Sequence, residues 1–148
     1  MSWTVALAAV TLLAAIVGGT LAHEWSHALA LRVAGIDYRL EYLPGRHAGV
    51  VGTLASGPWA VVNPILTGDE HAWGLRLAAL MPLSLTLPVL WLAATGGLPG
   101  AENPIAVAGL IGLLACALPS PQDFSVAFYA GRALEAVPAD GDDPAQVA

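Results

Sequence analysis

Residues 3–34 read WTVALAAVTLLAAIVGGTLAHEWSHALALRVA, and this stretch decides how the rest of the chain is interpreted. From Trp3 to Ala22 it carries no charged side chain, which meets the roughly 20 apolar residues a helix needs to cross a bilayer. A cleaved leader would have a basic start and an apolar run of only about 7–15 residues. Neither holds here, so the segment is expected to be a retained transmembrane helix. Within it stand His23, Glu24 and His27, followed by apolar Ala28-Leu29-Ala30-Leu31 before Arg32. A charged group at membrane depth costs about 2–3 kcal/mol or more, so ionisable residues there default to a functional role. The alternative is that these three lie at the membrane edge and solvate a helix end.

Composition extends the membrane reading to the whole chain. Of 148 residues, 57% are hydrophobic and 11% charged, against about 25% charged in an average soluble domain. The length fits one domain. Net charge is −6, with five Arg and no Lys. No basic patch exists to neutralise phosphates, so nucleic acid is not an expected partner. The lipid bilayer is. Cys116 is the single cysteine, which excludes an internal disulfide; in its apolar run it reads as a small buried hydrophobe. Asp140, Asp142 and Asp143 fall in an acidic, Gly- and Pro-containing tail, residues 138–148, that reads as poorly ordered.

The fold class expected is an all-α membrane protein. Its core, residues 1–137, has three transmembrane helices at about 3–34, 72–95 and 103–136. The third is interrupted at Pro119-Ser120-Pro121, because Pro121 removes a backbone donor and restarts the helix. Between the first two spans, Asp37 to Tyr42 alternates as a strand does. Residues 47–66 are apolar but contain Gly49, Gly52, Gly57, Pro58, Asn63 and Pro64, a poor composition for an isolated helix. A short β-like or re-entrant segment packed against the helices is expected there. Three spans place Arg32, Arg39, Arg46, Arg76 and Arg132 on one side and no Arg on the other. The positive-inside rule then puts the N-terminus outside and the C-terminus in the cytoplasm, in a cell membrane. A fourth span at 47–66 would break this agreement.

His23-Glu24-Trp25-Ser26-His27 carries the chemistry. Helical residues four apart share a face, so His23 and His27 can bind one metal ion while Glu24 stands beside it as a proton acceptor. Imidazole and carboxylate ligands without redox chemistry suit zinc, one per chain, which lowers the pKa of a bound water to about 7. A hydrolytic zinc site normally takes a third protein ligand. Asp37, Glu41, His47, Asp69, Glu70, His71 and Asp123 are available. Depth selects Asp123. It lies 20 residues past Asn103, as His23 lies 20 past Trp3, and helices entering from one side at about 1.5 Å per residue carry both to roughly 30 Å. Asp123 also has a purely local reading, as the N3 member of a Ser120-Pro121-Gln122-Asp123 capping box.

Together these residues resemble the site-2 protease family of intramembrane zinc metallopeptidases. HEWSHALALRVAGIDYRLEYL is similar to that family's His-Glu-x-x-His helix, its glycine-terminated end and the strand that follows. Ala79-Leu80-Met81-Pro82-Leu83-Ser84 is the nearest match to the Gly-Pro and Asn features of its middle helix. Leu118-Pro119-Ser120-Pro121-Gln122-Asp123-Phe124 is laid out like its Asn-Pro-x-Pro-x-Leu-Asp-Gly segment, with Phe124 in place of the Gly. The resemblance spans about residues 5–135. It implies His23, His27 and Asp123 as zinc ligands and Glu24 as catalytic base. The implied activity is hydrolysis of peptide bonds in or near transmembrane segments of membrane-protein substrates. The resemblance and the composition together suggest strand addition of an unwound substrate to the edge of the 37–55 region. Two other classes compete: a non-catalytic membrane protein with a structural or partner-binding zinc site, and a metal transporter. The first has no use for Glu24, and the second lacks a further His/Asp cluster along the helices. Substrate identity and oligomeric state have no sequence signal.

Overall fold

A computed structural model of the chain describes residues 3–42 and 60–137. The expectations for the tail 138–148, for Arg46 and His47 and for most of 47–66 lie outside the described residues. Three helical segments, Trp3–Val33, Ala72–Ala94 and Pro104–Glu135, are long and apolar enough to cross a membrane. They coincide with the three expected spans. Their outer faces present large apolar side chains, among them Val10, Leu13, Leu90, Trp91 and Phe128, each more than half exposed. Such continuous apolar surface is unfavourable in water and consistent with an integral membrane protein.

The first helix, α1, is unbroken from Trp3 to Val33. It ends where Gly35 takes φ +71°, and the Ile36 amide bonds back to the Leu31 carbonyl at 2.9 Å. Gly suits this left-handed position because it has no Cβ to clash. The turn delivers Ile36 into the core and starts β1, Tyr38–Tyr42.

Strand β1 pairs antiparallel with β2, Ala60–Pro64, with Tyr38 opposite Pro64 and Leu40 opposite Val62. The expected β-like segment between the first two spans is therefore this two-stranded sheet among the described residues. The Ile65 amide donates to the Asp37 carbonyl at 2.8 Å. With a period of two, Asn63 and Val61 turn their backbone groups toward β1, and Val62 turns its own to the opposite edge.

The second span has three parts: α2, Ala72–Leu80; a 3₁₀ segment, Met81–Thr86; and α3, Leu87–Ala94. Pro82 causes the change of helix type, since it offers no N–H to the carbonyl four residues earlier. Its side chain is fully buried.

The third span is α4, Pro104–Ala117, and α5, Pro121–Glu135. Asn103 caps α4 by accepting from the Ala106 amide at 3.2 Å, and Pro104 occupies the first turn, where no donor is needed. The break falls at Pro119-Ser120, as the sequence implied.

Two contacts set the architecture. Helices α1 and α4 approach along a seam of small residues spaced by four. A methyl added at Gly19 would stand 2.8 Å from Cys116 Cβ, and one at Gly112 would stand 2.7 Å from Ala15 Cβ. Such close approach replaces the hydrophobic drive that lipid cannot supply. Beyond the seam, Ala30, Leu31, Ile36, Leu75, Ala78 and Ala130 form the buried core, joining the end of α1 to α2 and α5. Cys116 is half-buried rather than fully buried. Its thiol donates to the Ile16 carbonyl at 3.4 Å across the seam.

Candidate metal centre

The stripe of α1 that carries Ala15 and Gly19 continues, in steps of four, to His23 and His27. The helical period that packs α4 against small side chains therefore aims two imidazoles at the same side. Past Gly19 the neighbouring chain changes, because α4 ends at Ala117 and α2 ends at Leu80 close by. His27 is buried and His23 half-buried.

Each ring makes one bond that fixes its chemistry. His23 Nδ1 lies 2.7 Å from the Cys116 carbonyl oxygen, and His27 Nδ1 lies 2.7 Å from the Ala78 carbonyl oxygen. A carbonyl can only accept, so both Nδ1 atoms must carry hydrogen, and in the neutral rings both Nε2 atoms are bare. The two Nε2 atoms face each other at 3.1 Å. Asp123 completes the group, with Oδ1 3.2 Å from His27 Nε2 and Oδ2 3.4 Å from His23 Nε2.

Two nitrogens and a carboxylate thus face one another, with no donor among them while the rings are neutral, and such a group can hold a cation. The spacing fits one. A tetrahedral ion with ligands at about 2.0–2.1 Å has ligand–ligand edges of about 3.3 Å; here the two Nε2 atoms are 3.1 Å apart, and each has a different carboxylate oxygen near it, Oδ1 at 3.2 Å from His27 and Oδ2 at 3.4 Å from His23. Among the described residues, His23, His27 and Asp123 are the His/Cys/Asp/Glu group that could hold a metal ion.

The local reading of Asp123 is also correct. Ser120 and Asp123 form a full capping box: the Ser120 amide donates to Asp123 Oδ2 at 2.6 Å, and the Asp123 amide donates to Ser120 Oγ at 3.2 Å. Capping and contact with the two histidines coexist because a carboxylate has about four acceptor sites. The cap itself holds the carboxylate against the histidines.

Glu24 lines the same cavity of about 270 Å³, together with His27, Asp123, Ser120 and the backbone strip Val61-Val62-Asn63-Pro64. The Val62 amide, turned out from the sheet, donates to Glu24 Oε2 at 3.1 Å. The sheet is tied to α1 a second time where Trp25 Nε1 donates to the Tyr42 hydroxyl at 3.1 Å. Sequence reasoning did not anticipate the partners of Glu24 and of the two Nδ1 atoms, since all three are main-chain groups.

The remaining ligand candidates are elsewhere. Asp37, Asp69, Glu70 and His71 line a separate cavity of about 300 Å³ below the end of α1. Glu41 is exposed on β1. His47 lies outside the described residues. Burial pushes the Glu70 carboxyl up slightly, but the amides of Thr67, Glu70 and Gly68 and the Thr67 hydroxyl outweigh it and hold the group below the usual carboxylate range. Glu70 is thereby committed to its own turn.

No family model matches the chain, and no curated protein or solved structure matches it either.

Proposed function

We propose that this chain is an intramembrane zinc-dependent endopeptidase that cleaves peptide bonds in or near transmembrane segments of membrane-protein substrates. The carrying observation is the convergence of the His23 and His27 Nε2 atoms with the Asp123 carboxylate, at 3.1 to 3.4 Å, beside a cavity lined by His27, Asp123 and Glu24. The resemblance to the site-2 protease family in the His-Glu-x-x-His helix and around Pro119-Ser120-Pro121-Gln122-Asp123 points the same way. A structural zinc site would leave Glu24 without a task.

Zinc bound by His23, His27 and Asp123 would supply a Lewis acid that activates water and polarises the scissile carbonyl. Glu24 takes the proton from the attacking water and delivers it to the amine nitrogen as the C–N bond breaks. The Val62 amide steadies Glu24 Oε2 and leaves Oε1 free for that transfer. Apolar surroundings keep bulk water scarce, which strengthens each of these electrostatic contacts.

A substrate helix hides its carbonyls in its own ladder, so it must unwind before attack. The edge of β2 that faces away from β1 runs beside the cavity, and its Val62 carbonyl can accept from an extended peptide while the Val62 amide stays on Glu24. Strand addition there would place a peptide bond next to Glu24. Pro64 has no N–H, so the receiving edge stops short on that side. The chain sits in the cell membrane with its N-terminus outside and the arginine-bearing side in the cytoplasm.

Glu24→Gln tests the assignment. It removes the base and no ligand, so peptide hydrolysis should be lost while zinc content stays at the wild-type level. Hydrolysis near wild-type rates in the variant would refute the role of Glu24.

A further inference from the structure

The two carbonyls that serve the histidines should, in regular helices, be occupied. In an α-helix each carbonyl receives the N–H four residues later, or in a 3₁₀ turn the one three residues later. For Ala78 the α-helical donor would come from position 82, which is Pro82 and has none. The Met81 amide supplies a single 3₁₀ bond, and the second lone pair is left for His27 Nδ1–H. For Cys116 the 3₁₀ donor would come from position 119, which is Pro119 and has none. The α-helical donor is the Ser120 amide, which is turned to Asp123 Oδ2 instead. His23 Nδ1–H takes the vacant carbonyl. All three metal-facing side chains are thus oriented by backbone groups that proline breaks release.

We propose that Pro82 and Pro119 are positioning residues of the metal centre: each withholds a backbone donor that would compete with a histidine for its carbonyl, and so each fixes one imidazole with Nδ1 protonated and Nε2 bare toward the ion. This rests on the metal-site reading above and goes past it, since it assigns the tautomers to two residues that touch neither metal nor substrate. It explains why a fully buried proline sits in the middle of a membrane-spanning segment, where an alanine would complete the helix. Outer partners of this kind typically govern 10–100-fold in metal affinity.

The experiment uses the full chain in detergent, with zinc alone as probe. Side-chain ¹⁵N NMR of the zinc-free wild type at alkaline pH should show the Nδ1–H tautomer for both His23 and His27; an Nε2–H tautomer at either overturns the proposal. Pro82→Ala should then mix the His27 tautomers, leave those of His23 unchanged, and weaken zinc binding about 10–100-fold. L-lactate incorporated at position 82 has the alanine side chain but an ester oxygen in place of N–H. It leaves the same packing void, yet should retain the His27 tautomer and bind zinc within a few-fold of wild type. If lactate and alanine at position 82 weaken binding equally, or if alanine changes neither tautomer nor affinity, the proline acts by packing or not at all. The same pair at position 119 should act on His23 alone, and it decides the matter should Pro82→Ala not fold. A wild type that has both tautomers but binds no zinc would refute the metal-site reading, while the tautomer contrast still judges the prolines.

Discussion

Asp123 offers the sharpest test of the site, because one carboxylate serves two masters whose demands can be separated. Its Oδ2 accepts the Ser120 amide at 2.6 Å, and its oxygens stand 3.2 and 3.4 Å from the two Nε2 atoms. Asp123→Ala removes both functions. Ser120 Oγ still accepts the residue-123 amide, but the half-buried Ser120 amide is left unpaired, which costs about 1–3 kcal/mol. Asp123→Asn keeps an oxygen for the Ser120 amide and turns an NH₂ group toward the histidines. In the zinc-free protein that amide can donate to the bare Nε2 atoms, so stability should stay within about 1 kcal/mol of wild type. Toward zinc the same NH₂ presents hydrogen where a ligand oxygen stood, and the negative charge is gone. Zinc affinity should therefore fall beyond the 10–100-fold typical of outer-shell losses, in Asn and Ala alike. Chelator competition reads the affinity, and thermal unfolding of the zinc-free proteins in the same detergent reads the stability. The expected order is wild type and Asn together above Ala for stability, and wild type alone at the top for zinc. An Asn variant that binds zinc as wild type does would refute Asp123 as a ligand and leave it as a helix cap only.

Gly19→Ala would place a methyl 2.8 Å from Cys116 Cβ, forcing α1 and α4 apart by about 1 Å to reach ordinary carbon–carbon contact. That would stretch the 2.7 Å bond from His23 to the Cys116 carbonyl, and zinc affinity should fall by about tenfold or more. Gly18→Ala meets nothing within 4 Å and should instead stabilise the helix by about 0.5–1 kcal/mol with affinity unchanged; equal behaviour of the two variants would contradict the seam. In a Cys116→Ala background, Asp69→Cys should react with an impermeant thiol reagent from the cytoplasmic side and Ala101→Cys from the outside, and labelling of both from one side would contradict the three-span topology.

The helices and the His-Glu-x-x-His pair were readable because each depends on residues close in sequence. A run such as Trp3–Ala22 must be helical in lipid to satisfy its own backbone, and its length fixes the span. His23 and His27 share a face by the helical period alone. Asp123 lies 100 residues from His23, and it was reachable by taking a bilayer as a common ruler for two helices read as entering from one side. His71 and its acidic neighbours could not be placed in that way, since their loop has no such ruler; it turns toward Gly35 and Ile36, not toward the histidines. The main-chain partners were illegible for a different reason. Every residue carries a carbonyl and nearly every one an amide, so no letter in the sequence marks the Ala78 or Cys116 carbonyl, or the Val62 amide, as a functional group. What the sequence does mark is the absence of a donor, and only at proline.

That absence links packing to chemistry along a single line. Ala15 and Gly19 on α1, facing Gly112 and Cys116 on α4, bring two backbones together where lipid offers no hydrophobic drive for doing so. Polar groups brought that close in an apolar medium must be satisfied locally, because an unpaired one costs several kcal/mol. The next step of four along α1 is His23, and it arrives where α4 has been broken by Pro119 and a carbonyl stands vacant. One step further, His27 arrives where Pro82 leaves the Ala78 carbonyl one lone pair unused. The breaks that would weaken an isolated helix are therefore matched, residue for residue, to side chains that need an acceptor. A substitution that mends either helix should strengthen its ladder while loosening the site, so local helix stability and zinc affinity are expected to change in opposite directions.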